Sequence, residues 1–398
     1  MRPPVARGQD QPARCRGEAG CHPPHCKAPA RQQRLSWLHG SAGPTTWQQE
    51  RRQHWGVMVT LASLASLGLN GTRSFSAFGR KRPHIKAEAA GAKRSLSAIR
   101  DRLRKEDGTS FVDTHCHLDL VLPRLSEQSH KDAAKAVAKG EEPLPRLRAD
   151  FLEWRETLQG SERDLEGCVN IGCSARGIDA AVEFLKHDNV YGAFGIHPLN
   201  AHEWNSEMED KIVKLMSRDK VVAWGECGLD YYDKKTRAQK QEQHTRELQR
   251  KVFVRQIDLA VSLGKPLVVH TRCAEEDTLE LLEAHLPESH PVHVHCFTSS
   301  QKLASALLEG FSGLRLGFTG VVTFKNAQEV QEVVKSTPLQ RILLETDSPY
   351  MAPEPFRGRI AHPGHVSYVA DAVACLKGIT REEVLAQCRQ NTRSTYGI

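Results

Sequence analysis

The sequence predicts an α/β fold, a (β/α)8 TIM barrel preceded by a disordered basic tail. Three observations carry that reading. From residue 109 onward, short β-branched runs alternate with helix-period segments, the pattern of parallel strands joined by helical crossovers. Eight such runs fall within about 290 residues, which suits a barrel of ~250 residues plus insertions. The charge is also divided. Residues 1–108 hold 20 Lys+Arg and 7 Asp+Glu of the chain's 55 and 48, so a tail of net +13 precedes a domain holding 35 against 41, net −6. The expected organisation is a tail over 1–108 and one barrel domain over 109–398. A doubly wound open sheet gives the same alternation, and periodicity alone does not close a cylinder.

In chain order, the strand runs are 111–117, 167–173, 190–197, 221–229, 266–272, 291–297, 314–324 and 341–347. Helix-period stretches between them include 178–187, 241–263, 278–285 and 327–335. The stretch 124–160 is long for one crossover and reads as an inserted helical pair. The tail is rich in Arg, Pro, Gly, Ser and Gln, with no lasting apolar period to build a core. Within it, Cys15, Cys21 and Cys26 lie near His22 and His25, but at a spacing that fits no common zinc module. Lys81-Arg82 and Lys93-Arg94 have the look of a thin bipartite nuclear signal or of plain solvated charge. An Arg-rich, acid-poor start also has the character of a mitochondrial transit peptide. Nucleus or cytoplasm is the expected location, with the mitochondrion as the alternative.

Composition removes two classes. The apolar run 57–69 is about half the ~20 residues that cross a bilayer, and Ser and Thr interrupt it, so no membrane span is expected. Eleven scattered cysteines in 398 residues do not make a disulfide scaffold, and free thiols are expected.

The chemistry lies where apolar strands end. The first run ends in His115-Cys116-His117, and residues i and i+2 of a strand share a face, so both imidazoles can reach one ion. Later runs end at Glu226, at His270, at His295 and at Glu345-Thr346-Asp347. Barrel enzymes place their chemistry at these carboxyl ends. Burying so many ionisable groups without a cation or partner is costly. Four histidines and two carboxylates converging there point to a site for two divalent cations. His293 shares the face of His295 one step deeper and reads as structural. Cys116, Cys227, Cys273 and Cys296 lie beside that face, whereas His202 and His285 read as surface residues.

These segments, in this order, resemble the TatD family of metal-dependent deoxyribonucleases. They are 113–119 (Asp-Thr-His-Cys-His-Leu-Asp), 195–198 (Gly-Ile-His-Pro), 225–232 (Gly-Glu-Cys-Gly-Leu-Asp-Tyr-Tyr), 265–272, 295–297 and 345–350 (Glu-Thr-Asp-Ser-Pro-Tyr). The resemblance covers about 110–398 and is nearest to animal members in which a tail precedes the barrel. It implies a TIM barrel of the metal-dependent hydrolase type that cleaves phosphodiester bonds in DNA. It also implies His115, His117, Glu226, His270, His295 and Asp347 as ligands, with Glu226 bridging two ions. Asp347, His115 and His117 would hold one ion, and His270 and His295 the other. One departure stands out: the family usually has Arg-Asn-x-Pro after the eighth strand, where this chain reads Arg-Ile-Ala-His-Pro-Gly over 359–364.

Two close cations can activate a bridging water and stabilise a leaving alkoxide. Asp347 is the expected acceptor of the water's proton, with Glu345 a weaker candidate. Arg272 and His197 are the expected phosphate contacts, although Arg272 could instead pair with a carboxylate and His197 could cap its loop. Histidines suit zinc and carboxylates suit magnesium or manganese, so the donor set does not choose the metal. Nor does it choose between DNA and RNA. The acidic barrel needs local cations to meet nucleic acid, and Arg272, Lys325, Arg357 and Arg359 lie near the expected mouth, with the tail as a further source. Two rivals share the barrel: a hydrolase of a small amide, ester or lactone, and an inert nucleic-acid-binding protein. His270, where such amidases commonly carry a carboxylated Lys, favours the phosphodiesterase.

Overall fold

The computed structural model describes residues 110–398, except 140, 143–145 and 233–242. The expectations for the tail therefore lie outside the described residues. Eight parallel strands run in sequential order: β1 (Phe111–Cys116), β2 (Leu165–Gly172), β3 (Val190–Phe194), β4 (Val221–Asp230), β5 (Leu267–Arg272), β6 (Val292–Val294), β7 (Leu314–Phe318) and β8 (Ile342–Leu344). The open-sheet alternative fails at the seam between first and last strands. His117 N donates to Ser348 O at 2.9 Å, Asp347 N donates to His115 O at 2.9 Å, and Thr114 Oγ1 donates to Leu344 O at 3.0 Å. The cylinder is closed there by hydrogen bonds.

The helices are α1 (Leu118–Ala138), α2 (Phe151–Glu156), α3 (Ala175–Val182), α4 (Ser206–Leu215), α5 (Gln243–Ser262), α6 (Glu275–His285), α7 (Gln301–Gly310), α8 (Gln328–Ser336), α9 (Val366–Lys377) and α10 (Arg381–Tyr396). Their starts are set by short polar caps. Ser174, Asn205 and Ser300 each accept a main-chain N–H from the first turn, and Thr380 with Glu383 forms a reciprocal capping box. The inserted pair is α1 and α2, and α1 begins at Leu118, directly after the first histidine pair. Helical faces such as Ile212, Phe253, Ile257, Leu303 and Val333 bury against the outward strand residues Trp224, Leu267 and Leu314. A second cluster of Val169, Ile171, Ala193, Ala223, Val268 and Leu343, with Tyr396 from α10, fills the cylinder.

The last three runs end earlier than their composition suggests. After Phe318, Thr319 accepts from Val321 N and starts a 3-10 turn over Gly320–Thr323, so β7 stops six residues short of 324. β6 and β8 end at Val294 and Leu344, because Cys296 (φ 44°) and Asp347 (φ 49°) take left-handed backbone conformations that no ladder tolerates. Left-handed non-glycine residues cluster at functional sites, and here one follows His295 and the other is the metal-competent Asp347 itself.

Candidate metal centre

At the carboxyl end of β1, alternation sets His115 and His117 on one face, with ring centroids 5.3 Å apart. Asp113, fully buried, braces this strand end against the last one. It accepts His115 N at 3.2 Å, Thr346 N at 3.0 Å and Thr346 Oγ1 at 2.5 Å. Burial pushes the Asp113 carboxyl well up, against those hydrogen bonds.

Glu226 stands at the middle. Its Oε1 lies 2.8 Å from His270 Nδ1 and 2.8 Å from His295 Nε2, which are themselves 3.0 Å apart. Donor atoms on a tetrahedral zinc are ~3.3 Å apart, so the triad needs only a few tenths of an ångström to open around an ion. Oε2 faces the other side, 3.5 Å from His115 Nε2. There Asp347 Oδ1 lies 3.4 Å from His117 Nε2 and 3.7 Å from His115 Nε2. His115 stacks on His295 at 4.0 Å, which places His295 within reach of either set. All six sequence-derived candidates therefore come together.

The donor set fits a cation on a second count. His115 is fully buried, yet its Nδ1 has no hydrogen-bond partner and its Nε2 meets only carboxylate oxygens at 3.5 and 3.7 Å, and His295 Nδ1 is likewise unsatisfied. Buried polar atoms are seldom left so.

Electrostatics agrees. Burial, helped by His295, drives His115 down to about 3, so it is neutral and able to ligate. Burial lowers His117 and His270 as well, but Asp347 lifts the first and Asp230 with Glu226 lifts the second, each to about 9. Burial opposes ionisation of Glu226, yet the surrounding imidazoles hold it well below the usual carboxylate range. Without an ion, protons on His117 and His270 do the cation's work. Their stabilisation is complete below the ordinary imidazole value of ~6.5 and is lost as pH rises through about 9. Glu345, raised by burial to about 8, acts in the same direction, since the unfolded chain ionises it first. Thermal melts of metal-stripped protein should therefore fall steadily from about pH 6 to about pH 10, and a divalent cation should restore most of the loss at the alkaline end. A flat profile would contradict this balance of charges.

His197 caps its loop, as one of its two expected roles required, and also turns towards the centre. Its Nδ1 accepts Leu199 N at 3.1 Å, capping the loop, and its Nε2 points to Glu226 Oε1 at 3.4 Å. With Nδ1 accepting, the neutral ring carries its proton on Nε2, facing the centre. Burial holds that ring neutral, down at about 3. Arg272 stands apart from the donors. It is exposed and lies 3.9 Å over the Tyr232 ring instead of pairing with a carboxylate. It lines a cleft of about 850 Å³ together with Tyr231, Tyr232, Arg246, Ser299 and Lys302. Arg357 covers Phe324 at 3.8 Å, and Lys325, Arg357 and Arg359 are exposed.

Sequence reasoning missed two residues at the centre. Asp230 Oδ2 lies 3.5 Å from His270 Nε2. The signal was available, because Asp230 is four residues from Glu226 in one strand and so shares its face. Cys173 brings a thiol to Glu226, and burial followed by that carboxylate's charge keeps it protonated. Glu345 faces away from the centre. Its oxygens meet His293 Nε2 at 2.9 Å and Cys296 N, and His293 Nδ1 meets Tyr396 Oη at 2.6 Å. His293 is the structural residue expected. Cys116 and Cys227 point their sulfurs at the carbonyls of Val169 and Val268, not at the donors.

A closed parallel barrel with histidines and acids gathered at its carboxyl rim defines a metal-dependent hydrolase of the TIM-barrel class. Residues 112–397 match the family model described as TatD related DNase. The chain belongs to that family. It is 35% identical over 314 residues to a human protein named 3'-5' RNA nuclease TATDN2, a match covering 77% of this chain but only 38% of the human protein's length. It is 34% identical over 289 residues to YabD of Bacillus subtilis, named an uncharacterized metal-dependent hydrolase, covering 72% of this chain and 99% of that one. Among solved structures, the TatD homologue YJJV of Escherichia coli shares the fold at a TM-score of 0.57 and 23% identity, covering 72% of this chain and 98% of the other. Among the described residues, no helix is long and apolar enough to cross a membrane.

Proposed function

We propose that this chain is a nuclease that hydrolyses phosphodiester bonds in DNA or RNA with two divalent cations, magnesium, manganese or zinc. The observation that carries the reading is the placement of Glu226, whose two oxygens face two separate donor sets. A cleft lined by Arg246, Arg272, Lys302, Tyr231 and Tyr232, and also by Glu275, Glu276 and Asp277, opens at the end of β5, which carries His270. His115, His117 and Asp347 would hold one ion and His270 and His295 the other, with a Glu226 oxygen available to each. When bound, such ions polarise the phosphate, supply hydroxide from water and neutralise the leaving alkoxide.

The chain's own groups do the rest. Burial opposes ionisation of Asp347, but the His117 hydrogen bond and the charges of His115, His295 and His117 together keep it ionised, and it accepts the proton of the attacking water. The His197 Nε2–H donates to a phosphate oxygen. Arg272 and Tyr232 form a stacked pair at the cleft wall, suited to a phosphate on one side and a base on the other. The name of the human relative points to RNA and that of the family to DNA. Incubating the full chain with 5'-labelled single-stranded DNA, duplex DNA and RNA, each with magnesium, manganese or zinc, separates the choices. Cleavage of at least one single-stranded polymer is expected. Inertness towards all three under every metal would favour a small ester, amide or lactone as substrate.

A further inference from the structure

The segment that departs from the family pattern, 359–364, places an imidazole in an unexpected company. His362 and His365 flank the short turn Pro363–His365 ahead of α9, and Glu162 lies in the 3-10 turn Gly160–Asp164 just before β2. One ligand atom from each of the three lies within 4.8 Å of the others. None of them belongs to the centre described above.

The two rings sit 3.8 Å apart, and His365 is only 3% exposed. The Nδ1 of each is buried without a hydrogen-bond partner. Such atoms are costly to strand, and an ion is one of the few things that satisfies two imidazoles at once. Glu162 is held in place by the Tyr368 hydroxyl, the kind of outer contact that orients a ligating carboxylate. Gly364 permits the approach. A Cβ there would stand 3.1 Å from Glu162 Cβ, 3.1 Å from His362 Cε1 and 3.0 Å from Leu158 Cδ2, tighter than ordinary contact. Trp154, 5.7 Å from His362, and Phe356, stacked on His365 at 4.7 Å, wall the group in.

We propose that Glu162, His362 and His365 form a second, separate metal site that binds one zinc ion. Two imidazoles, one carboxylate and a water complete the usual four-fold set. The ion ties the segment following β8 to the turn preceding β2, two stretches more than 190 residues apart in the chain. Glu162 and His362 are both partly exposed, which leaves their side chains room to turn towards a common ion.

The test uses the full chain. Metal-stripped wild type, His362→Ala and Glu162→Gln are dialysed against excess zinc with a common free-zinc level, and zinc per chain is measured by atomic emission. Each variant should hold one equivalent fewer than the wild type, with an unchanged circular dichroism spectrum. An equal zinc count in all three overturns the site and leaves the two histidines as aromatic packing only. If the variants do not fold, the wild type decides. Zinc should protect His362 and His365 from diethyl pyrocarbonate, read by peptide mass, and equal labelling with and without zinc overturns the proposal. Tail and central donors are common to all three chains and cancel in the comparison. Because nothing here is read through nuclease activity, the outcome is independent of whether the chain cuts nucleic acid.

Discussion

Replacing Glu226 with Ala should lower nuclease activity by about a thousandfold or more while leaving the barrel folded. A metal centre's stabilisation of developing charge amounts to several kcal/mol, and ~4 kcal/mol corresponds to that factor. Glu226 is 3% exposed, and its close polar contacts among the described residues include His115, His197, His270 and His295, with the Cys173 thiol beside them. Its loss therefore removes the one group common to both donor sets. The sign of the stability change should depend on pH. Below about pH 8, protonated His270 loses its nearest counter-charge and protonated His117 loses one behind Asp347, so the metal-free variant should melt lower than wild type. Glu226→Gln, nearly isosteric, should be equally inactive, which separates the charge from the shape. Activity within tenfold of wild type in either variant (about 1.4 kcal/mol) would remove Glu226 from the reaction.

Asp347→Asn should cost about a hundred- to ten-thousandfold in kcat, the range lost with a positioned general base. Asparagine tolerates the left-handed conformation of residue 347, so the backbone at φ 49° should hold. The carboxamide can still accept from His117, whose Nε2 is 3.4 Å from Oδ1, but it cannot take a proton. The acidic limb of the pH–rate profile should disappear in this variant and persist in His197→Ala, which loses a phosphate contact and should mainly raise KM. If Asp347→Asn keeps the wild-type acidic limb, the base is another group.

Much of this was legible beforehand because burial on both faces turns barrel strands into continuous apolar runs, against which a terminal His or Glu stands out. β1 and β4 are buried at every position, and their donors were read directly. What the apolar pattern did not carry were its polar ends. Asp230, the last residue of β4, lies one step past the strand's last apolar residue and was readable only from its spacing to Glu226, and the early end of β7 depended on the Thr319 hydroxyl rather than on hydrophobicity. Closure of the cylinder was equally hidden, since it rests on main-chain bonds between 115–117 and 347–348 and on the Thr114 hydroxyl donating to the Leu344 carbonyl. Arg272 illustrates a different limit. Its side chain was free to choose a carboxylate or a ring, and only the fold brought Tyr232 within 3.9 Å.

The central claim is that one carboxylate spans two cations. Crystals soaked in manganese and measured at the manganese absorption edge test it most directly. Two anomalous peaks about 3.5–4 Å apart are expected, one between His115, His117 and Asp347 and the other between His270 and His295, with Glu226 touching both. A single peak, or two that leave Glu226 uncoordinated, would contradict it.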